Sequence, residues 1–146
     1  MALSVTDADD RIVQLLILTS RLTDLLASET RAFEARRPQD AAASSEETQR
    51  LANIYRHEAA RIRSDPGLIA SARLEARHEL VAATRSFEAV LSRHGRALQA
   101  AKIVTEGLVQ AIAAEVAQTR GGPPGYGPGA RVGESDGTSI TLNRRA

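Results

Sequence analysis

The histidines are the residues of this 146-residue chain with the clearest capacity for chemistry, and they are His57, His78 and His94. None lies four residues from another, none belongs to an H-E-x-x-H motif, and the chain has no cysteine. A metal site would therefore need ligands from separate helices, and we predict none. His94 falls on an apolar repeat, which favours a half-buried neutral histidine with one satisfied nitrogen over a residue that sets register or responds to pH.

Two glutamates, Glu29 and Glu115, also interrupt apolar repeats, and paired carboxylates can perform acid-base catalysis. No nucleophile or oxyanion donor is placed beside them, so the pattern favours solvated helix ends or pairing partners for arginine. Glycine-rich phosphate-binding motifs that lead into a helix are absent. We predict no catalytic residue, no cofactor and no enzyme. The alternative is a small enzyme or regulator with a site built from His57, His78 and nearby carboxylates, which would bind a metal tightly.

The composition limits the class of protein further. Basic and acidic residues number 19 and 18 and are interleaved, so no nucleic-acid or membrane surface is indicated. The apolar run from Ile12 to Leu18 is much shorter than the ~20 residues of a membrane span, and the acidic start does not resemble a signal peptide. We expect a soluble cytoplasmic protein. Aromatic residues make up only 3% of the chain, which favours close helix packing and an all-α fold.

Two shorter helices are predicted before a long one. Thr6 or Asp7 can cap the first, which should end by Arg37 because Pro38 disfavours helix before it. Residues 39–43 are expected to be a linker, and the S-x-x-E spacing of Ser44 and Glu47 predicts a capping box and a second helix from Ser44. Residues 65–67, Asp-Pro-Gly, form the next break, and the two apolar residues after it could plug the end of the bundle.

The third helix carries the longest apolar repeat of the sequence. It should begin between Pro66 and Ser71 and continue to about Thr119. Gly95 and Gly107 lie inside it, and close packing of a partner backbone is favoured over a bend as the reason. Val90, Ala97, Val104 and Ala111 widen the repeat into a broad apolar face. The repeat itself consists of Leu80, Thr84, Phe87, Leu91, His94, Leu98, Ala101, Thr105, Leu108, Ile112 and Glu115.

The composition changes at Arg120 to a glycine- and proline-rich tail that should be disordered in the free protein. We predict residues 1–119 as a helical bundle and 120–146 as a flexible tail. The bundle is either an elongated antiparallel helical hairpin or a three-helix bundle with one long C-terminal helix. Tyr126 and residues 139–145 could form a short docking motif, although an unconstrained solvated tail is favoured.

The long helix offers more apolar surface than two shorter helices can cover. An amphipathic helix of a partner could lie on the uncovered part, in the helix-in-groove mode. The predicted partner-binding residues are Leu98, Ala101, Val104, Leu108 and Ile112, with Tyr126 as an accessory contact.

The order of these elements resembles the FlgN-like flagellar export chaperones: a leucine-rich first helix (15–29), a basic middle helix, a long last helix and a glycine-tyrosine tail. Segments 52–58 (ANIYRHE), 61–66 (RIRSDP) and 104–109 (VTEGLV) are similar to an alphaproteobacterial branch labelled flagellar basal-body protein. The resemblance covers most of the helical region.

The resemblance implies a cytoplasmic chaperone that keeps hook-filament junction proteins soluble and passes them to the flagellar type III export apparatus. The chain could also form a weak homodimer. A structural or assembly factor of the basal body, in which the same apolar face builds a permanent bundle, is the alternative. An oligomer that forms without an added partner would favour that alternative.

Overall fold

The computed structural model describes residues 3–121, which form helices and contain no strand. The helices are α1 (Ala8–Glu34), α2 (Pro38–Ser64), α3 (Gly67–Ala70) and α4 (Leu74–Arg120). Contacts divide the chain into two units, residues 1–105 and 106–146, which are described separately. The predicted all-α fold with one long C-terminal helix is confirmed, and α4 ends one residue beyond the predicted Thr119.

Helix α1 begins as the sequence predicts. The side chain of Asp7 accepts a hydrogen bond of 2.8 Å from the backbone N–H of Asp10, which satisfies one of the free donors of the first turn. Asp10 accepts a hydrogen bond from the backbone N–H of Thr6, which lowers the pKa of its carboxyl. The negative charges of Asp9 and Asp10 thus stand where the helix dipole favours them.

Helix α1 ends in a Schellman turn that places a non-glycine residue in the left-handed region. The N–H of Arg36 donates to the carbonyl of Phe33 at 3.0 Å, and that of Arg37 donates to the carbonyl of Ala32 at 2.8 Å. Arg36 has φ 59°. Glycine is the usual residue at this position, because a side chain there costs roughly 1–2 kcal/mol. The turn between α1 and α2 is therefore strained at Arg36.

Helix α2 begins at Pro38, so the predicted linker 39–43 and the predicted start at Ser44 are wrong. Proline fits the first turn of a helix, where its missing N–H would have no partner. Ser44 and Glu47 lie inside the helix and do not form a capping box. Their side chains instead reach α1, where they contact Glu29 and Arg21 respectively.

The break after α2 contains the single turn α3, and α4 begins at Leu74 rather than between Pro66 and Ser71. Ile69 of α3 packs on a cluster formed by Ile12, Ala72 and Ala76. Its apolar side chain closes this end of the core, as predicted from its position after the break.

Long-range contacts fix the directions of the helices in the first unit. Helices α1 and α2 are antiparallel, and α1 and α4 are parallel, which gives a three-helix arrangement. A second apolar cluster, Leu22, Leu26 and Phe87, lies between them and receives Tyr55 from α2. The α1–α2 pairs are Arg11 with Glu58, Arg21 with Glu47 and Glu29 with Ser44. The α1–α4 pairs are Glu29 with His94 and Glu34 with Arg93, and Asp9 of α1 pairs with Arg73, directly before α4.

The packed face of α4 keeps every second position of the predicted repeat and takes the preceding residue at the others. Leu91, predicted on the repeat, is 45% exposed, whereas Val90, predicted to widen the apolar face, is partly buried. One heptad later Ala97 is buried and Leu98 is exposed. The packed residues are Ala76, Leu80, Ala83, Phe87, Val90, His94, Ala97 and Ala101.

The two glycines inside α4 do not serve close packing within the described residues. A Cβ atom added at Gly95 or at Gly107 would meet nothing within 4 Å. The favoured interpretation, close approach of a neighbouring backbone, is therefore not supported within residues 3–121.

Gly95→Ala is expected to raise the free energy of unfolding by about 1 kcal/mol, because alanine loses less backbone entropy in a helix. Thermal unfolding followed by circular dichroism measures this as a rise of a few degrees in the midpoint. Gly67→Ala is the control, because a Cβ there would lie 3.0 Å from an oxygen of Asp65. An unchanged or lower midpoint for Gly95→Ala would favour the alternative that Gly95 permits a bend.

Within residues 3–121, none of the helices combines the length and the apolar character that a membrane span requires.

Candidate functional site

The predicted partner-binding residues lie on α4, apart from Tyr126, which is outside the described residues. Ala101 is half-buried, and the four larger side chains are exposed. The exposed fractions are 46% for Leu98, 62% for Val104, 60% for Leu108 and 54% for Ile112. Leu98 and Val104 belong to the first unit, and Leu108 and Ile112 belong to the second.

Helical spacing aligns Leu108 and Ile112, both in the second unit, on one side of α4. A step of four residues turns about 40° and rises about 6 Å, so the two side chains form a narrow apolar stripe. We call these two residues the α4 stripe. Such a stripe can cover the apolar side of another helix.

An apolar cleft of the first unit lies at the turn between α1 and α2. We call it the turn cleft. Its volume is about 360 Å³, and three alanines of α4 give it depth because they leave space that larger side chains would fill. It is lined by Phe33, Glu34, Arg36, Pro38, Ala97, Ala100, Ala101, Val104 and Thr105.

The structure thus adds residues that the sequence analysis missed. Phe33, Arg36 and Pro38 face Ala101 and Val104 across the turn cleft. The predicted break at Pro38 marked a turn near them, but spacing along α4 alone could not indicate which residues of α1 would meet it.

The two charged residues that border the cleft, Glu34 at the end of α1 and Arg36 in the turn after it, differ in their partners. Arg93 donates two hydrogen bonds to Glu34, of 2.8 and 2.7 Å. These bonds lower the pKa of the Glu34 carboxyl and raise the pKa of Arg93. The guanidinium of Arg36 has no ion-pair or hydrogen-bond partner within residues 3–121. The cleft therefore has an apolar floor and one uncompensated positive charge at its edge.

The pKa of Glu34 is expected below its ordinary value of 4.5, because Arg93 stabilises the carboxylate. A depressed pKa stabilises the fold above the ordinary value, and this contribution is lost as the pH falls through the depressed pKa. Carboxyl NMR titration measures the effect. Arg93→Ala should return the Glu34 pKa towards 4.5, whereas the pKa of Glu47, which is lowered by Arg21, should not move. An unchanged Glu34 pKa in the Arg93→Ala variant would contradict this account.

A buried polar cluster lies beside the turn cleft and corrects the interpretation of Glu29. Glu29 is 7% exposed and is neither solvated nor paired with arginine. One of its oxygens accepts hydrogen bonds from Ser44 at 2.9 Å and Thr48 at 2.6 Å, and the other lies 3.2 Å from Nε2 of His94. The cluster ties α1 to α2 and α4 with side chains that satisfy one another.

His94 is largely buried, as the sequence predicts, and the edge of its ring meets Phe33 with 5.8 Å between centroids. Leu98 borders a second cleft, of about 380 Å³, together with His94 and Glu29. The order in which the side chains of this cluster are hydrogen-bonded differs from that of a serine–histidine–carboxylate triad. Glu29 stands between Ser44 and His94, so no imidazole is placed to accept the serine proton.

A second buried charge lies at the opposite end of α1. Glu58 has no exposed surface and accepts hydrogen bonds from Arg11 at 2.7 Å and Arg61 at 3.1 Å. Arg11 is 8% exposed, so both members of the α1–α2 pair are shielded from water. This arrangement positions helices and offers no open site.

The remaining histidines, His57 and His78, are exposed. Within the described part of the chain, no three histidine, aspartate or glutamate residues come together in a way that could hold a metal ion. Glu115, the second glutamate that interrupts a predicted apolar repeat, is exposed.

Comparison with known proteins gives one clear relative. The chain is 55% identical over 149 residues to the flagellar basal-body protein FlbY of Caulobacter vibrioides, and the alignment covers 100% of both chains. The chain matches no profile of a protein family, and no solved structure matches it.

Proposed function

We propose that the chain, which belongs to the family of the flagellar basal-body protein FlbY, acts in the flagellum as a cytoplasmic export chaperone. In this proposal it binds amphipathic helices of hook-filament junction proteins and delivers them to the flagellar type III export apparatus, as the FlgN-like chaperones it resembles would do. It needs no cofactor and catalyses no reaction.

The observation that carries the proposal is the exposure of the α4 stripe. Leu108 and Ile112 are each more than half exposed. Burial of apolar surface stabilises a complex by roughly 25 cal/mol per Å², so a partner that covers these side chains gains affinity without new charges. Export substrates with amphipathic terminal helices would otherwise associate with one another through the same kind of surface.

The sparse charge around the stripe fits an apolar ligand. Between residues 103 and 118 the only ionisable side chains are Glu106 and Glu115. A partner helix with large apolar residues at i, i+3, i+4 and i+7 can lie along such a surface. Tyr126 is proposed as an accessory contact.

The alternative function is a structural or assembly factor of the basal body. The name of the Caulobacter relative, a flagellar basal-body protein, favours it, and the same stripe could build a permanent bundle with a second copy or another protein. Permanent interfaces are more apolar than transient ones, so exposure alone fits both proposals.

Co-expression with a hook-filament junction protein from the same genome tests the chaperone function. The chain is expected to raise the soluble fraction of the full-length junction protein. It should leave unchanged the soluble fraction of a derivative that lacks the terminal amphipathic helices. Equal solubility of the full-length protein with and without the chain would overturn the proposal.

A further inference from the structure

We propose that the turn cleft anchors one large apolar side chain of the partner helix, and that Arg36 pairs with a carboxylate about one helical turn away on that helix. The inference rests on the proposed function and names the chemistry of the partner. That partner carries a leucine, methionine or phenylalanine with an aspartate or glutamate three or four residues from it.

The shape of the cleft supports an apolar anchor. Phe33 and Pro38 form one wall, and Ala97 and Ala101 form the floor on α4. The volume of about 360 Å³ leaves room for water molecules in the empty cleft. An apolar side chain that displaces them removes both its own surface and that of the cleft from water. Ala101 and Val104, two of the predicted partner-binding residues, line the cleft, so a helix bound at these residues reaches it.

The charges at the rim select the second feature of the partner. Glu34 is engaged by Arg93 through two hydrogen bonds, so its negative charge is compensated. Arg36 has no such partner within residues 3–121. A carboxylate brought to the cleft would meet a guanidinium that can donate two parallel hydrogen bonds, beside an apolar surface that excludes water.

The backbone at Arg36 supplies an independent reason to assign its side chain a ligand. Its φ of 59° lies in the region that favours glycine, and its side chain makes no hydrogen bond or ion pair within residues 3–121. Strain held by a residue whose side chain stabilises nothing nearby points to a functional contact. Arginine at this position therefore has a physical cost that binding would offset.

Arg36→Gly tests the inference with effects of opposite sign. The variant should unfold at a higher temperature, because glycine relaxes the left-handed residue. Its affinity for a fluorescein-labelled peptide, the terminal amphipathic helix of a junction protein, should fall about tenfold in fluorescence anisotropy. A loss of binding in a more stable protein cannot result from unfolding. Arg37→Ala is the matched control, since Arg37 is an exposed cation paired with Asp40, and it should bind as the unmodified chain does.

Two further measurements separate the anchor from the charge. Ala101→Trp should fill the cleft and weaken binding at any ionic strength, whereas the effect of Arg36→Gly should shrink as salt is added. A peptide whose carboxylates are replaced by amides should bind the unmodified chain and Arg36→Gly equally. Equal binding by all these variants, with the peptide still bound by the unmodified chain, would overturn the inference and leave the proposed function standing.

Other results would identify another occupant. A higher affinity in Arg36→Gly would mean that the chain's own tail occupies the cleft, and a change in the mass of the protein alone would mean that a second copy does. Either result overturns the inference. No binding by the unmodified chain would overturn the proposed function itself.

Discussion

Glu58→Ala is expected to lower the free energy of unfolding by about 3–5 kcal/mol, the largest effect on stability that we predict. Glu58 has no exposed surface, and its partner Arg11 is 8% exposed. Removal of the carboxylate leaves the Arg11 guanidinium buried without a counter-charge, and Arg61 loses its partner as well. Urea unfolding followed by the helical signal at 222 nm measures the change as a lower midpoint.

The control for this prediction is Glu79→Ala, which removes an exposed glutamate of α4 and should change the free energy of unfolding by less than about 0.5 kcal/mol. The double variant Arg11→Met with Glu58→Leu should recover most of the lost stability, because two apolar side chains of similar size leave no buried charge. A single Glu58→Ala variant as stable as Glu79→Ala would show that water reaches the pair.

Leu108→Asp combined with Ile112→Asp is expected to weaken binding of a junction-protein helix at least a hundredfold. Each aspartate must be desolvated against the apolar side of the partner helix, at a cost of about 1–3 kcal/mol or more. Both native side chains are more than half exposed, so helix content should be retained. Circular dichroism checks that content, and fluorescence anisotropy with a labelled terminal helix measures the affinity.

Val109→Asp is the matched control for Leu108→Asp. Leu108 is 60% and Val109 is 61% exposed on α4, and Val109 lies about 100° around the helix from Leu108. The two substitutions therefore have similar effects on helix propensity and charge. The difference between the affinities of the two variants reports the contact with the partner helix. Equal losses of affinity would mean that the stripe does not define the binding surface.

Local signals in the sequence were sufficient for the helix ends that depend on local chemistry. The cap at Asp7 and the end of α4 near Thr119 were both predicted, because a capping side chain and a change to glycine and proline act within a few residues. Pro38 was assigned to a break for the same local reason. The structure places it in the first turn of α2, because only interior positions of a helix require the N–H that proline lacks.

The polar contacts of the core were less accessible to sequence analysis. Ser44 and Glu47 have the spacing of a capping box, yet both side chains bind residues of α1. Glu29 and Glu58 are buried because partners more than ten positions away in sequence satisfy them. Periodicity identifies a glutamate on an apolar face but does not reveal which side chain on another helix will meet it.

The candidate site was predicted in part. Spacing along α4 selected Leu98, Val104, Leu108 and Ile112, which are indeed exposed, but their role in binding stays a prediction. The turn cleft was missed because it depends on the left-handed backbone at Arg36. A positive φ at a non-glycine residue leaves no mark on composition or periodicity.

The most direct test of the central claim is the mass in solution, measured by light scattering after gel filtration, with and without the terminal region of a junction protein. The account predicts a monomer or weak dimer that forms a stoichiometric complex with that region, and loss of the complex when Leu108 and Ile112 are replaced by aspartate. A tight oligomer whose mass does not depend on concentration or on the junction protein would contradict it.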